Sequence, residues 1–310
     1  MTQSMRIRRP TWHDAYDAQV GLWRWYGTPA GLDFLQTGYE INSQPLSENS
    51  RELLFKLYQS EPGRILSADP IFVSAEMCDV IDAAHSTFEP EPIFETDWLT
   101  QFGFVWYENP FVIPDRFDNP LVFRGFSWCP MIASPSVSDE GERMAGDGVV
   151  VTIYADIDHP TVPLGFAPSH VTPWWFGMTF EGNEVDENER PTGAGWWWRI
   201  AQVTLRLMQQ RIAVRHNETP SRPQRREAKR FDFNDRDVLV VRLRREKGEH
   251  HDPMGEGANY SHRFIVGGHW RNQWFPASSV HRQIWIGAYV KGPEDKPLVV
   301  NPQRAFTLHR

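Results

Sequence analysis

A chain of 310 residues, 40% hydrophobic and 13% aromatic, is long enough to bury a substantial core in one large domain or two small ones. Its formal net charge of −8 excludes a surface that holds nucleic acid by bulk charge and confines any such role to a local basic patch. Two cysteines, Cys78 and Cys129, encode neither a disulfide framework nor a zinc knuckle, and no apolar run reaches the roughly 18 residues of a membrane helix, so a cytoplasmic protein that engages no membrane is expected.

The opening third reads as helical. Trp12, Ala15, Tyr16, Gln19, Val20 and Trp23 recur at steps of three and four, which predicts an amphipathic helix over residues 11–26, stopped near Gly27 and Pro29. A second helix is expected from Glu48 to Tyr58. A third opens after Ser74 as N-cap and runs to about His85, ahead of Pro90 and Pro92.

From Gly103 onward the texture changes. Phe104–Tyr107, Leu121–Phe123, Phe126–Trp128, Val149–Ala155 and Trp174–Phe180 are short, aromatic or β-branched runs separated by prolines and loops. Trp196–Val214 then carries the strongest helical periodicity and is expected as a long buried helix. The segment from Arg215 to Arg236 is the most basic of the chain and reads as a polar connector, helical at Pro223–Arg230. Strand character resumes at Val238–Arg245, Arg263–Val266 and Gln283–Val290. These readings predict an α+β fold with a mainly helical region over residues 1–100. Residues 101–310 are expected as a core with a mostly antiparallel sheet and one long buried helix before the C-terminal strands.

Several stretches together resemble a family of uncharacterised proteins encoded in actinobacteria, their phages and mobile elements. They are FGFVWYENPFVIPD (Phe102–Asp115), LMQQ (Leu207–Gln210), the basic Arg222–Arg230 connector, VVRLRR (Val240–Arg245) and YSHRFIVGGHWRNQWFPASSVHRQIWIGAYVKGPEDKPL (Tyr260–Leu298). The resemblance implies a mobile-genetic-element context and carries no reaction, cofactor or catalytic residue with it.

The last of those stretches concentrates the chemistry. Histidine exchanges protons near neutral pH and a guanidinium holds phosphate in two-point contact, so His262, His269 and Arg271 are candidates for acid, base and phosphate clamp of a metal-independent ribonuclease. Arg271, Gln273 and Arg282, with Trp270, Trp274 and Trp285 as stacking rings, are the candidate ligand-binding set. Arg222, Arg225, Arg226, Lys229 and Arg230 form a second basic set suited to a nucleic-acid backbone. The competing reading spends these histidines on backbone groups, the arginines on internal carboxylates and the tryptophans on the core.

Metal is a weaker alternative, drawn from His250, His251, Asp252, His262 and His269, or from Asp156 and Asp158 at a strand end. The sequence has no GxxxxGK[ST], GxGxxG or GxSxG motif, which argues against P-loop, dinucleotide and serine-hydrolase chemistry, and no cofactor is expected. Candidate partners are a single-stranded nucleic acid or a host protein, the latter held by a non-enzymatic regulator.

Overall fold

The computed structural model describes residues 10–43, 48–113, 121–132, 136–137, 143–144, 147–158, 160–175, 194–244, 261–277, 279–293 and 296–299. The chain begins with helices α1 (Trp12–Tyr26), α2 (Pro29–Ser43) and α3 (Glu48–Ser67), then strand β1 (Asp69–Val73) and helix α4 (Ala75–His85). Strands β2 (Gly103–Ile113), β3 (Leu121–Ile132), β4 (Ser136–Val137), β5 (Arg143–Met144), β6 (Asp147–Asp156) and β7 (Phe166–Trp175) follow. Helix α5 (Ala194–Met208), strand β8 (Ala213–Glu218), helix α6 (Arg222–Arg230) and strand β9 (Val238–Leu243) lead to the C-terminal strands. These are β10 (Arg263–Val266), β11 (His269–Phe275), β12 (Val280–Ile286), β13 (Tyr289–Lys291) and β14 (Leu298–Val299).

Seven strands form the main sheet in the order β7-β6-β3-β2-β1-β9-β8. Strand β1 runs parallel to both of its neighbours, β2 and β9, and the remaining pairs are antiparallel. A parallel pair needs a crossover, and α4 supplies the one from β1 to β2. The α+β class expected from the sequence is the one observed.

Alternation along the strands divides the core between two faces of this sheet. Phe72, Phe104, Trp106, Val150, Tyr154, Val238 and Val240 point to the side covered by α1, α3 and α6. Ile71, Val73, Val105, Tyr107, Val151, Ile153 and Val241 point to the side covered by α4 and α5. Trp285 of β12 is buried in this second cluster and Trp270 of β11 packs against it, so the C-terminal hairpin belongs to the α4/α5 side.

One buried polar network stitches α3 to the sheet. Glu61 is fully buried and ion-paired with Arg64. It also accepts hydrogen bonds from Thr152 Oγ1 at 2.7 Å and from the Tyr154 hydroxyl, which meets Ser127 Oγ at 2.9 Å. A carboxylate this deep survives because each oxygen has a donor.

Several boundaries differ from the sequence reading. Pro29 does not end the helical region but opens α2, because proline at a first helical turn gives up only an N–H that has no intrahelical partner. Thr28 caps this turn, its hydroxyl accepting the Gly31 N–H at 3.2 Å. Helix α3 passes Tyr58 and Pro62 to reach Ser67, with Arg64 Nη1 donating to the Leu57 carbonyl at 2.6 Å. Helix α5 stops at Met208 rather than Val214, and the start of the expected connector is the edge strand β8. The strand expected over Gln283–Val290 is divided into β12 and β13 at Gly287-Ala288. Of the strand expected at Trp174–Phe180, Trp174 and Trp175 close β7, and residues 176–180 lie outside the described residues.

Candidate functional site

Strands β11 and β12 form a two-stranded antiparallel hairpin in which His269 faces Ile286, Arg271 faces Ile284, Gln273 faces Arg282 and Trp274 faces His281. Paired residues share a face, and the face switches at each step. His269, Arg271, Gln273 and Arg282 therefore emerge together on one side, with Phe275, Val280, Ile284 and Ile286. Trp270, Asn272, Trp274, His281, Gln283 and Trp285 emerge on the other.

The second side docks the hairpin on the body of the protein. Trp270 lies 5.1 Å from the Phe88 ring and 5.4 Å from the Trp285 ring, and its indole N–H donates to the Ala84 carbonyl at 3.0 Å. Gln283 Nε2 donates to Glu91 Oε1 at 2.6 Å and to the Glu89 carbonyl at 3.1 Å. Gly268 is required just before β11, since a Cβ there would stand 2.4 Å from the Trp285 ring. Of the three tryptophans proposed as stacking rings, Trp270 and Trp285 are turned inward, and Trp274 is 44% exposed with its ring 4.8 Å from His281.

The first side is open. His269 and Arg271 are exposed, and Gln273 and Arg282 are half-buried. Arg271 Nη2 donates to Gln273 Oε1 at 2.8 Å, and neither Arg271 nor Arg282 forms an ion pair with a described residue. His269 Nδ1 lies 3.1 Å from the Gly267 carbonyl oxygen. A carbonyl only accepts, so Nδ1 carries the proton and Nε2 is the free acceptor of the neutral ring.

His262 stands elsewhere. It is exposed immediately before β10, in a three-stranded sheet ordered β13-β10-β14, with its ring 6.0 Å from Phe264 and its Nδ1 3.1 Å from Ser261 Oγ. Of the two imidazoles named as acid and base, one thus precedes a strand of one sheet and the other opens a strand of another, with no hydrogen bond or ring contact between them among the described residues.

The second basic set lies on α6. Ala228 is buried, while Gln224 Nε2 donates to Asp17 Oδ1 of α1 at 2.8 Å and to the His13 carbonyl at 3.2 Å. Arg222, Arg226, Lys229 and Arg230 follow at spacings of three and four and are exposed. Arg230 pairs with Glu227 at 3.0 Å, and Arg225 is 3.8 Å from Asp235. Because α6 covers one face of the main sheet and the hairpin covers the other, the two basic sets form separate surfaces.

Asp156 is held by Arg124 through both carboxylate oxygens, at 2.5 and 2.9 Å. His250, His251 and Asp252 lie outside the described residues, among which no group of three or more His, Cys, Asp or Glu side chains is gathered as for a metal ion. No described helix is long and apolar enough to cross a membrane.

Sequence reasoning missed two glutamines just past α5, one of which mounts the hairpin. Gln210 Oε1 accepts the Trp285 main-chain N–H at 3.0 Å, and Gln209 donates to the Asp97 carbonyl. These are the two glutamines of the LMQQ stretch, which periodicity alone left as the polar margin of a helix.

Scans against known protein families and against curated proteins find no match. Among solved structures the chain is similar to that described as the crystal structure of AcrVA2, at 13% identity over 89% of this chain and 93% of that one, with a TM-score of 0.39.

Proposed function

We propose that this chain is an accessory protein of a phage or mobile element that binds a phosphate-bearing ligand, single-stranded nucleic acid in particular, on the outer face of the β11–β12 hairpin. One observation carries the reading: Arg271 and Arg282 share that face with His269 and Gln273, and neither guanidinium is ion-paired with a described residue. A guanidinium that is not committed to a carboxylate keeps its planar fork of donors for a phosphate. His269 and Gln273 stand beside Arg271 and Arg282 on the same face as further hydrogen-bonding groups. The mobile-element context rests on the sequence resemblance of the C-terminal block.

The test is fluorescence anisotropy with a labelled oligothymidylate, comparing the full chain with the Arg271→Ala/Arg282→Ala variant. The double variant should bind at least tenfold more weakly, and the slope of log affinity against log salt should fall by about 1.4, close to 0.7 for each lost phosphate contact. Absence of binding, or binding that the double variant leaves unchanged, overturns the proposal.

A further inference from the structure

The two edges of the main sheet are built differently. Edge strand β7 contains Pro168 and Pro173, which have no N–H to offer, and its pairing with β6 is interrupted between Ile153 and Tyr154. Such features blunt an edge against further pairing. Edge strand β8, AVRHNE, has neither a proline nor a break in its register with β9.

The direction of its backbone groups follows from one bond. The Arg244 N–H donates to the Ile212 carbonyl at 2.7 Å, which makes Ile212 and Arg244 a hydrogen-bonded pair. In an antiparallel ladder such pairs alternate, so Val214, His216 and Glu218 direct their main-chain groups toward β9. Arg215 and Asn217 direct theirs away from it. Beyond them the main sheet has no further strand among the described residues.

Around this edge stand Arg211, Arg215, Arg242 and Arg244, all exposed. The Arg242 backbone lies directly across from Val214, and Arg244 Nε donates to the Arg211 carbonyl at 2.6 Å, which fixes that guanidinium beside the start of the strand. None of the four forms an ion pair with a described residue, in a chain whose acidic residues outnumber its Lys and Arg by 40 to 32.

We infer that β8 is a docking edge for an extended acidic peptide, which adds to the main sheet as an eighth strand through the main-chain groups of Arg215 and Asn217 while carboxylates on its two faces meet Arg215 on one side of the sheet and Arg242 on the other. A polypeptide is favoured over a nucleic acid because the edge presents alternating N–H donors and C=O acceptors, the complement of another peptide backbone. This surface is distinct from the hairpin face and does not depend on the function proposed for it.

The probes are fluorescein-labelled decapeptides in which adjacent Glu pairs, one Glu facing each side of the strand, are separated by Val, Thr, Ile or Tyr, titrated with the full chain. At least one should bind. Methylating every second backbone nitrogen of that peptide should weaken it at least tenfold, as should the Arg215→Ala/Arg242→Ala variant. Asn217→Pro removes an outward N–H without touching the ladder to β9, so it should fold with an unchanged far-ultraviolet spectrum and lose binding to the same extent. If that variant misfolds, the methylated peptide still decides the matter. The inference is overturned if no peptide binds, if methylation has no effect, or if an oligothymidylate competes for the four arginines in a manner insensitive to Asn217→Pro. It is likewise overturned if the chain sediments as a dimer that Asn217→Pro converts to a monomer.

Discussion

Gln210 holds Trp285 by its main chain, the side-chain carbonyl of the glutamine accepting the tryptophan N–H at 3.0 Å. The bond links the turn after α5 to the hairpin that carries His269, Arg271 and Arg282. Gln210→Leu removes the acceptor and leaves the amide without its partner, at a cost of about 1 kcal/mol. The Trp285 amide should then exchange with solvent faster than in the parent, while amides of β2 and β3 keep their protection. Equal loosening throughout the chain would show that Gln210 supports the whole core and not the hairpin.

Burial of the Glu61–Arg64 pair makes its two halves unequal to their sum. Arg64→Leu strands a carboxylate that is fully buried and should destabilise the protein by about 3–5 kcal/mol. The double variant Glu61→Leu/Arg64→Leu leaves no such charge and should be more stable than Arg64→Leu alone. Urea unfolding of all four proteins in the cycle measures the coupling.

Acid should weaken the α4 end of the core. Burial lowers the pKa of His85, partly offset by Asp82 and reinforced by Arg199. The unfolded imidazole titrates near its ordinary value of 6.5 and the folded one below it. Above that window the group contributes nothing to pH dependence. As pH falls through 6.5 the unfolded state takes up the proton first, and stability drops until the folded pKa is reached. The urea midpoint of His85→Gln should therefore fall less between pH 7.5 and 5.5 than that of the parent. Ala84, the residue before His85, receives the Trp270 indole N–H, so the hairpin should lose protection over the same range.

Neither cysteine should behave as a reactive thiol. Burial pushes Cys78 up to about 12 and Cys129 up to about 11, because the thiolate loses its hydration inside the protein. A disulfide reagent at pH 8 should leave the folded chain unmodified and titrate two thiols per chain once urea has unfolded it. Rapid labelling of either thiol in the folded protein would contradict its burial.

Long periodic segments were the legible part of this fold. Residues 11–26 and 196–208 showed their inward faces in the spacing of Trp, Leu and Ala, and Val149–Ala155 declared itself as a strand by β-branching alone. What escaped was decided by partners distant in sequence. Asp69–Val73 is too short to stand out, yet it lies between strands that begin at Gly103 and Val238. Helix α5 ends at Met208 with neither glycine nor proline to mark it, because the next residues turn to reach β9.

At the candidate site the cluster of residue types was visible and its geometry was not. Phase through Gly267-Gly268 could not be read, so the sequence left open that His269, Arg271, Gln273 and Arg282 would share a face. Trp270 and Trp285 had no local mark to distinguish them from Trp274, although contact with Phe88 and with each other turns them inward.

The placement of β1 also governs the order in which the molecule can be assembled during synthesis. Its β9 flank cannot be closed until Val238–Leu243 has left the ribosome, more than half a chain later. A nascent polypeptide halted before that point presents a naked, wholly aliphatic and aromatic ribbon, Ile71-Phe72-Val73. Such intermediates are natural clients for chaperones, and C-terminal deletions that remove β9 should yield aggregates in place of a smaller native protein.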